Sequence, residues 1–251
     1  MTIGLLGAAA LLVGVIVGTV GIGGVLFAPA LILIGQVEPH EATAISLISF
    51  TLTGIVSLAL HLRSSDFPRT LTWTLAIGLL PGAFLGGWLS SRIPDEVILA
   101  ALFSVSLFSA VWGITRGRPT NTVAVREDLD FTTAVPVGLG TGFGSAITGT
   151  SGPVLLTPAL MAFGLPTLRA IVVGQVAQAV VTPAGAFGYL LHTRPDPTLT
   201  AVLGGATALG AAIGIYGARR LRLPDSFLRT LVTALLFTTS VLIAIRLVAS
   251  L

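Results

Sequence analysis

Apolar residues fill this chain in long uninterrupted blocks, and the few charged positions act as punctuation between them. The first block reaches residue 37 without a charge. As one straight helix it would be about 55 Å long, against a hydrocarbon core of about 30 Å. It has to break, and Gly18, Gly21, Gly23 and Gly24 mark the place. The two arms, about 16 and about 12 residues, are each too short to span comfortably. They predict a re-entrant helical hairpin over 3–36, broken at 19–24. Ordinary spans follow at 40–61, 70–91 and 95–115, and Trp73, Trp88 and Trp112 fall near their ends, where interfacial aromatics belong. Residues 116–130 are the most polar stretch and read as a linker. Then the pattern starts again. The uncharged block 131–168 is also too long for one helix, which predicts a second hairpin over 131–165 broken at 148–153, then spans at 169–191, 199–218 and 225–245.

The recurrence is visible in the letters as well. Residues 17–31 read VGTVGIGGVLFAPAL and residues 146–160 read AITGTSGPVLLTPAL, displaced by 129 positions. Identities fall at Thr19/Thr148, Gly23/Gly152, Val25/Val154, Leu26/Leu155, Pro29/Pro158, Ala30/Ala159 and Leu31/Leu160. Looser matches pair His61 with His192, Gly82 and Gly86 with Gly210 and Gly214, and Arg92-Ile93-Pro94-Asp95 with Arg222-Leu223-Pro224-Asp225. The chain thus reads as two repeats, 1–115 and 131–251. A glycine-broken helix at matching places in two repeats is the sequence mark of a secondary-transporter binding site.

Composition narrows the class. The chain is 54% hydrophobic and 9% charged, with mean hydropathy +0.99. Soluble domains carry roughly a quarter charged residues, so this chain cannot clothe a water-facing surface. It is an all-α integral membrane protein. Cysteine is absent, which excludes disulfides and thiol chemistry. Residues 1–10 lack a basic region, so the first apolar run is expected to stay in the mature protein.

All thirteen basic residues are arginines, and the pI near 10.5 invites a nucleic-acid reading. Their placement in short loops between apolar runs speaks instead for membrane orientation and against a nucleic-acid partner. If each long block crossed the membrane once, the arginines would divide almost evenly between the two sides. If each folds back, Arg63, Arg69, Arg116, Arg118, Arg126, Arg169, Arg219, Arg220, Arg222 and Arg229 share one side, leaving only Arg92, Arg194 and Arg246 opposite. The second arrangement obeys the positive-inside rule. It predicts two inverted-topology repeats, each a hairpin plus three transmembrane helices, in the cell membrane. Both termini lie outside and the linker 116–130 lies in the cytoplasm.

Inverted repeats bring the two breaks toward each other near the bilayer midplane, where irregular backbone survives only if buried in protein or lining a wet cavity. Half-helices beginning near Gly24 and Pro153 present free N–H groups and a positive dipole end, which suit an anion. Proline at Pro153 starts a helix without wasting a donor. The candidate substrate-binding residues are therefore Thr19, Gly21, Gly23 and Gly24 in the first tip, and Thr148, Thr150, Ser151 and Gly152 in the second. Gln175 and Gln178, three residues apart on one helical face, join them from the next span. Ser46 and Ser49 occupy the matching region of the first repeat. Glycine packing alone would not explain two overlong blocks broken at matching places. The Gly82/Gly86 and Gly210/Gly214 pairs, by contrast, read as packing faces. Pro81 and Pro183 are expected to kink their helices. Glu38, His40, Glu41, His61 and His192 fall at span ends, as solvated residues do. No catalytic set, metal or cofactor is expected.

The repeated GxGG…P-A-L segment, followed by a polar second helix, resembles the sulfite exporter TauE/SafE family of four-TMS toluene-sulfonate uptake permeases. The resemblance covers both halves. Gly21-Ile22-Gly23-Gly24 with Pro29 matches well, and Ala44-Ile45-Ser46-Leu47 resembles the family's small-x-Ser-Leu segment. The second copy departs, with Thr150-Ser151-Gly152-Pro153 where glycines are common. The resemblance implies transport of sulfite, thiosulfate, sulfate or organosulfonates. Protons or the membrane potential are the coupling force expected on general grounds, with no residue marked as the carrier. Two other readings use the same features. One is a passive anion channel. The other is an intramembrane serine protease, because Gly149-Thr150-Ser151-Gly152 fits a GxSG pattern with His192 as base.

Overall fold

A computed structural model describes residues 2–21, 23–62, 68–90, 92–94 and 128–221, with isolated positions between 96 and 111 and between 230 and 241. Most of the spans expected at 95–115 and 225–245, and of the linker 116–130, lie outside the described residues. The described chain is helical throughout. Helix α1 covers Thr2–Val20, and a 3-10 turn at Gly23–Leu26 leads into α2, Phe27–Gly35. Then come α3, Pro39–His61, and α4, Arg69–Ser90. In the second half, α5 is Phe131–Ile147, α6 Pro153–Ala162, α7 Thr167–Leu190 and α8 Pro197–Leu221. Among the described residues, α3, α4, α7 and α8 are long and apolar enough to cross a membrane. Their outer faces carry large exposed apolar side chains such as Ile55, Trp73, Leu80, Leu209 and Tyr216. In water these would be a liability, whereas in lipid they are the solvent-facing surface.

Local chemistry explains the boundaries. Pro39 opens α3, where a missing N–H costs nothing, and Glu41 sits in its first turn against the positive dipole end. Helix α1 stops at a left-handed Gly21 (φ 83°), whose N–H bonds the Val17 carbonyl at 2.8 Å. Helix α6 starts from Gly152 (φ 84°), with Pro153 in its first turn. Helices α4 and α7 run on through Pro81 and Pro183. At the end of α4 the Arg92 guanidinium lies 4.4 Å from the Trp88 ring centroid, a cation–π contact.

Packing is backbone against backbone. Gly14 and Gly18 of α1 face the carbonyls of Thr207 and Ala211, while Gly210 and Gly214 of α8 face those of Leu11 and Val15. The other half repeats this device. Gly78, Gly82 and Gly86 of α4 meet Val135, Leu139 and Phe143 of α5, and Gly138 and Gly142 return the contact to Leu75 and Leu79. Both GxxxG pairs are thus buried in helix–helix seams. Helices α3 and α7 cross at the centre, with Gly54 against Ala179, and α8 and α4 pack on their respective flanks. Helix α2 runs back along α1, so that a β-carbon on Gly35 would sit 3.3 Å from a Leu6 methyl. Leu6, Ala10, Val13, Val17, Phe27 and Leu31 close one core, and Leu156, Leu160, Leu165 and Val173 belong to its counterpart.

No side chain fits at these seams, which makes them testable. Gly82→Leu and Gly210→Leu are each expected to destabilise the fold by about 1–3 kcal/mol or more. The check is thermal unfolding of purified protein in detergent, with exposed Gly140→Ala, which meets nothing within 4 Å, as the control.

Candidate functional site

The two breaks meet. A β-carbon on Gly24 would collide with the Ser151 side chain and come within 2.9 Å of its backbone nitrogen. A β-carbon on Gly21 would sit 3.6 Å from Pro153 and 3.5 Å from the Gln175 side chain. The second tip also rests on α3, because Thr43 fills the space beside Gly149. Helix α7 runs along both tips: Ile171 and Gln175 touch Gly21, Gly174 touches Pro153, and Val181 touches Gly152.

The two tips are held by different chemistry. At the first, the Gln175 amide donates from Nε2 to the carbonyls of Val17 (3.1 Å) and Gly18 (2.9 Å). Those carbonyls belong to the last turn of α1, where the helix ladder runs out; that of Val17 also accepts from the Gly21 N–H. At the second, Thr150 N–H donates to the Ser145 carbonyl at 3.0 Å and Gly149 N–H to that of Ala146 at 3.2 Å. Thr148 Oγ1 donates to the Gly144 carbonyl at 2.8 Å and lies 3.1 Å from Thr150 Oγ1. The Tyr189 hydroxyl closes this end by donating to the Ile147 carbonyl at 3.2 Å. No side chain caps α6 or α2. Pro153 brings no N–H and the Leu155 and Leu156 amides bond the Gly152 carbonyl, which leaves the Val154 amide of α6 to whatever occupies the tip.

The remaining candidates divide by where their hydroxyls point. Thr19 and Ser46 donate back to Val15 and Ala42 of their own helices at 2.7 Å. Ser49 faces α8 beside Gly204, and its Oγ has no partner. Gln178 donates to the Phe50 carbonyl at 3.1 Å while its Oε1 is buried and unpaired. Ser151, 0% exposed, likewise has an unpaired hydroxyl. Gly23 lies in the 3-10 turn that opens the second arm. Sequence reasoning did not single out Thr43, Tyr189 or Thr157, whose buried hydroxyl beside Gly174 is also unpaired. For Thr157 a signal existed: it stands in the repeated segment where the first copy has Ala28.

Among the described residues, the fully buried polar side chains are Ser, Thr, Gln and His61, with no carboxylate or guanidinium. A neutral, closely packed cluster of hydroxyls, amides and helix N-termini can hold an oxyanion by dipoles without a counter-ion. No His partners Ser151: its Oγ lacks any hydrogen bond, and His192 lies with Glu38, His40 and Glu41 around a separate pocket at the end of α7. Unpaired buried polar atoms are uncommon in native folds and call for a role. Among the described residues, two of the four such atoms outside charged side chains and histidine, Ser151 Oγ and Thr157 Oγ1, sit on α6 or its tip, while Gln178 Oε1 lies on α7 and Ser49 Oγ on α3.

Long apolar helices packed around paired helix breaks, with a polar centre and a lipid-facing exterior, define a membrane transporter. The sequence profile of the sulfite exporter TauE/SafE family matches residues 6–243, and the chain belongs to that family. It is 28% identical over 218 residues to a probable membrane transporter protein of Xylella fastidiosa strain 9a5c, covering 83% of this chain and 82% of that one. A probable membrane transporter protein of Methanocaldococcus jannaschii is 26% identical over 190 residues, 72% of this chain and 71% of its own. No solved structure matches the chain.

Proposed function

We propose that the protein is a secondary transporter of small sulfur oxyanions, working by alternating access around a site between its two broken-helix tips. The observation that carries this reading is the meeting of Gly24 with Ser151. Two helix starts converge there, in a buried and uncharged setting that retains unpaired hydroxyls. Sulfite is the substrate the family name suggests, and thiosulfate, sulfate and organosulfonates are related oxyanions of the same chemistry. Their negative charge is held by the Val154 amide at the start of α6 and by the hydroxyls of Ser151 and Thr157.

The matched seams α1–α8 and α4–α5 support two inverted repeats, and the return of Gly35 to Leu6 supports a re-entrant first hairpin. On this reading the arginine-rich side is cytoplasmic and both termini are outside. One bundle rocks against the other, parting the tips to admit the anion from alternate sides. Protons or the membrane potential drive the cycle.

Flux into proteoliposomes tests this. Purified protein is expected to move at least one of sulfite, thiosulfate, sulfate or a sulfonate, and to accumulate it against its gradient when a pH gradient or potential is imposed. Movement that only ever runs downhill would mean a channel. No movement of any of these anions would overturn the substrate class.

A further inference from the structure

A polar group that the transport site leaves unused lies at one mouth of the protein. A pocket of about 430 Å³ is lined by Glu38, His40 and Glu41 from the head of α3 and by His192, Thr193 and Arg194 from the loop between α7 and α8. These two stretches are tied together, since the Asp196 N–H donates to Glu41 Oε1 at 3.0 Å. The Asp196 carboxylate is turned to the start of α8, accepting from the N–H groups of Thr198 (2.7 Å) and Leu199 (3.0 Å). The pocket is also close to the transport site. Thr43 packs on Gly149 of the second tip and follows His40 by three residues, a rise of about 4.5 Å along α3.

Its charge can change sign. With both imidazoles neutral, Glu38 and Glu41 outweigh Arg194 and the lining carries a formal charge of −1. Asp196, at the rim, makes the mouth more negative still. Such an entrance repels an anion. Imidazole is the side chain that gains its proton between about pH 8 and pH 5. Protonating His40 and His192 adds two positive charges, which takes the lining from −1 to +1. With the rim aspartate counted the mouth goes from −2 to neutral, so the attraction is local to the two imidazoliums and Arg194. The pocket has room for a small oxyanion, and then it attracts one.

We propose that this pocket is an antechamber for the transported anion, a second oxyanion site that fills only when His40 and His192 are protonated beside Arg194. Acid on this face therefore raises the local anion concentration above the second tip. The site takes up two protons and an anion together, and so favours their passage together. This rests on the anion-transporter reading above.

The test is sulfite flux into proteoliposomes as the pH facing this mouth is stepped from 8 to 5.5, comparing wild type with His40→Gln/His192→Gln. Sulfite's own protonation is common to both proteins, so the difference between the two profiles isolates the imidazoles. Wild type is expected to gain about fivefold more on acidification than the double variant, the size expected for two partly screened charges several ångströms from the anion. That excess shrinks as ionic strength rises. His192→Arg, with a fixed charge, is expected to raise flux at pH 8 and flatten the profile. Thermal unfolding at pH 8 shows whether each variant is folded, and His192→Arg keeps the test open if the double variant is not. Identical acid gains in wild type and variants would overturn the antechamber while leaving the transporter intact. Absence of flux of sulfite, thiosulfate, sulfate and a sulfonate alike, at every pH and in every variant, would overturn the transporter reading on which it rests.

Discussion

Gln175→Leu is expected to abolish transport and to lower stability at the same time. Its Nε2 serves the Val17 and Gly18 carbonyls at the end of α1, 157 and 158 residues away in the chain. Leucine matches the volume but removes this donor: the Val17 carbonyl keeps the Gly21 N–H, whereas the Gly18 carbonyl loses the amide that serves it. An orphaned buried acceptor costs about 1–3 kcal/mol, a sizeable part of the roughly 5–15 kcal/mol that holds a typical domain together. The first tip then loses its tie to α7, and Gly24 loses its register over Ser151. Thermal unfolding and proteoliposome flux together check this. A glutamine that only touched substrate would give a different pattern, with weaker flux and an unchanged melting temperature. Gln175→Glu sharpens the contrast, because an ionised carboxylate in that place faces two carbonyls and can donate to neither.

This residue also shows where sequence reading stops. Charge punctuation and block length are local quantities, and they place long apolar helices and glycine breaks directly: α1 ends beside Gly21 and α6 begins at Gly152 and Pro153. The GxxxG pairs are legible for the same reason, since a smooth helix face needs a close neighbour in lipid. What a polar side chain bonds to is not local. The spacing of Gln175 and Gln178 puts both on one face, but it cannot say that the first is occupied by α1 carbonyls while the second keeps a free oxygen. Likewise, Thr19 and Ser46 bond back within their own helices, the usual fate of hydroxyls in helix interiors. Ser49 turns toward α8. The duplication is legible in the letters, but the inequality of the tips is not. One tip is tied by a glutamine from the other half, the other by its own threonines and by Tyr189.

That inequality gives the second large effect its form, because Gly24 and Ser151 meet across the two halves of the chain. Gly24→Val is expected to reduce transport to below about a tenth of wild type, with a stability loss of about 1–3 kcal/mol from overpacking. Its β-carbon would overlap the Ser151 side chain and crowd its amide nitrogen. Gly24→Ala should do the same more mildly, and it allows a cleaner question. If the clash is with Ser151, then Ser151→Gly removes the offending atoms, and Gly24→Ala/Ser151→Gly should melt well above Gly24→Ala alone. The coupling between the two substitutions should lie within the 0.5–3 kcal/mol typical of residues in contact. Transport should not recover with it, because the double variant has lost a hydroxyl assigned to the anion. A double variant that melts no higher than Gly24→Ala would mean that the tips do not touch there. One that regains full flux would remove Ser151 from the binding site. Stability reports the packing of the tips and flux reports the ligand chemistry, so the pair of readouts separates two roles that meet at one serine.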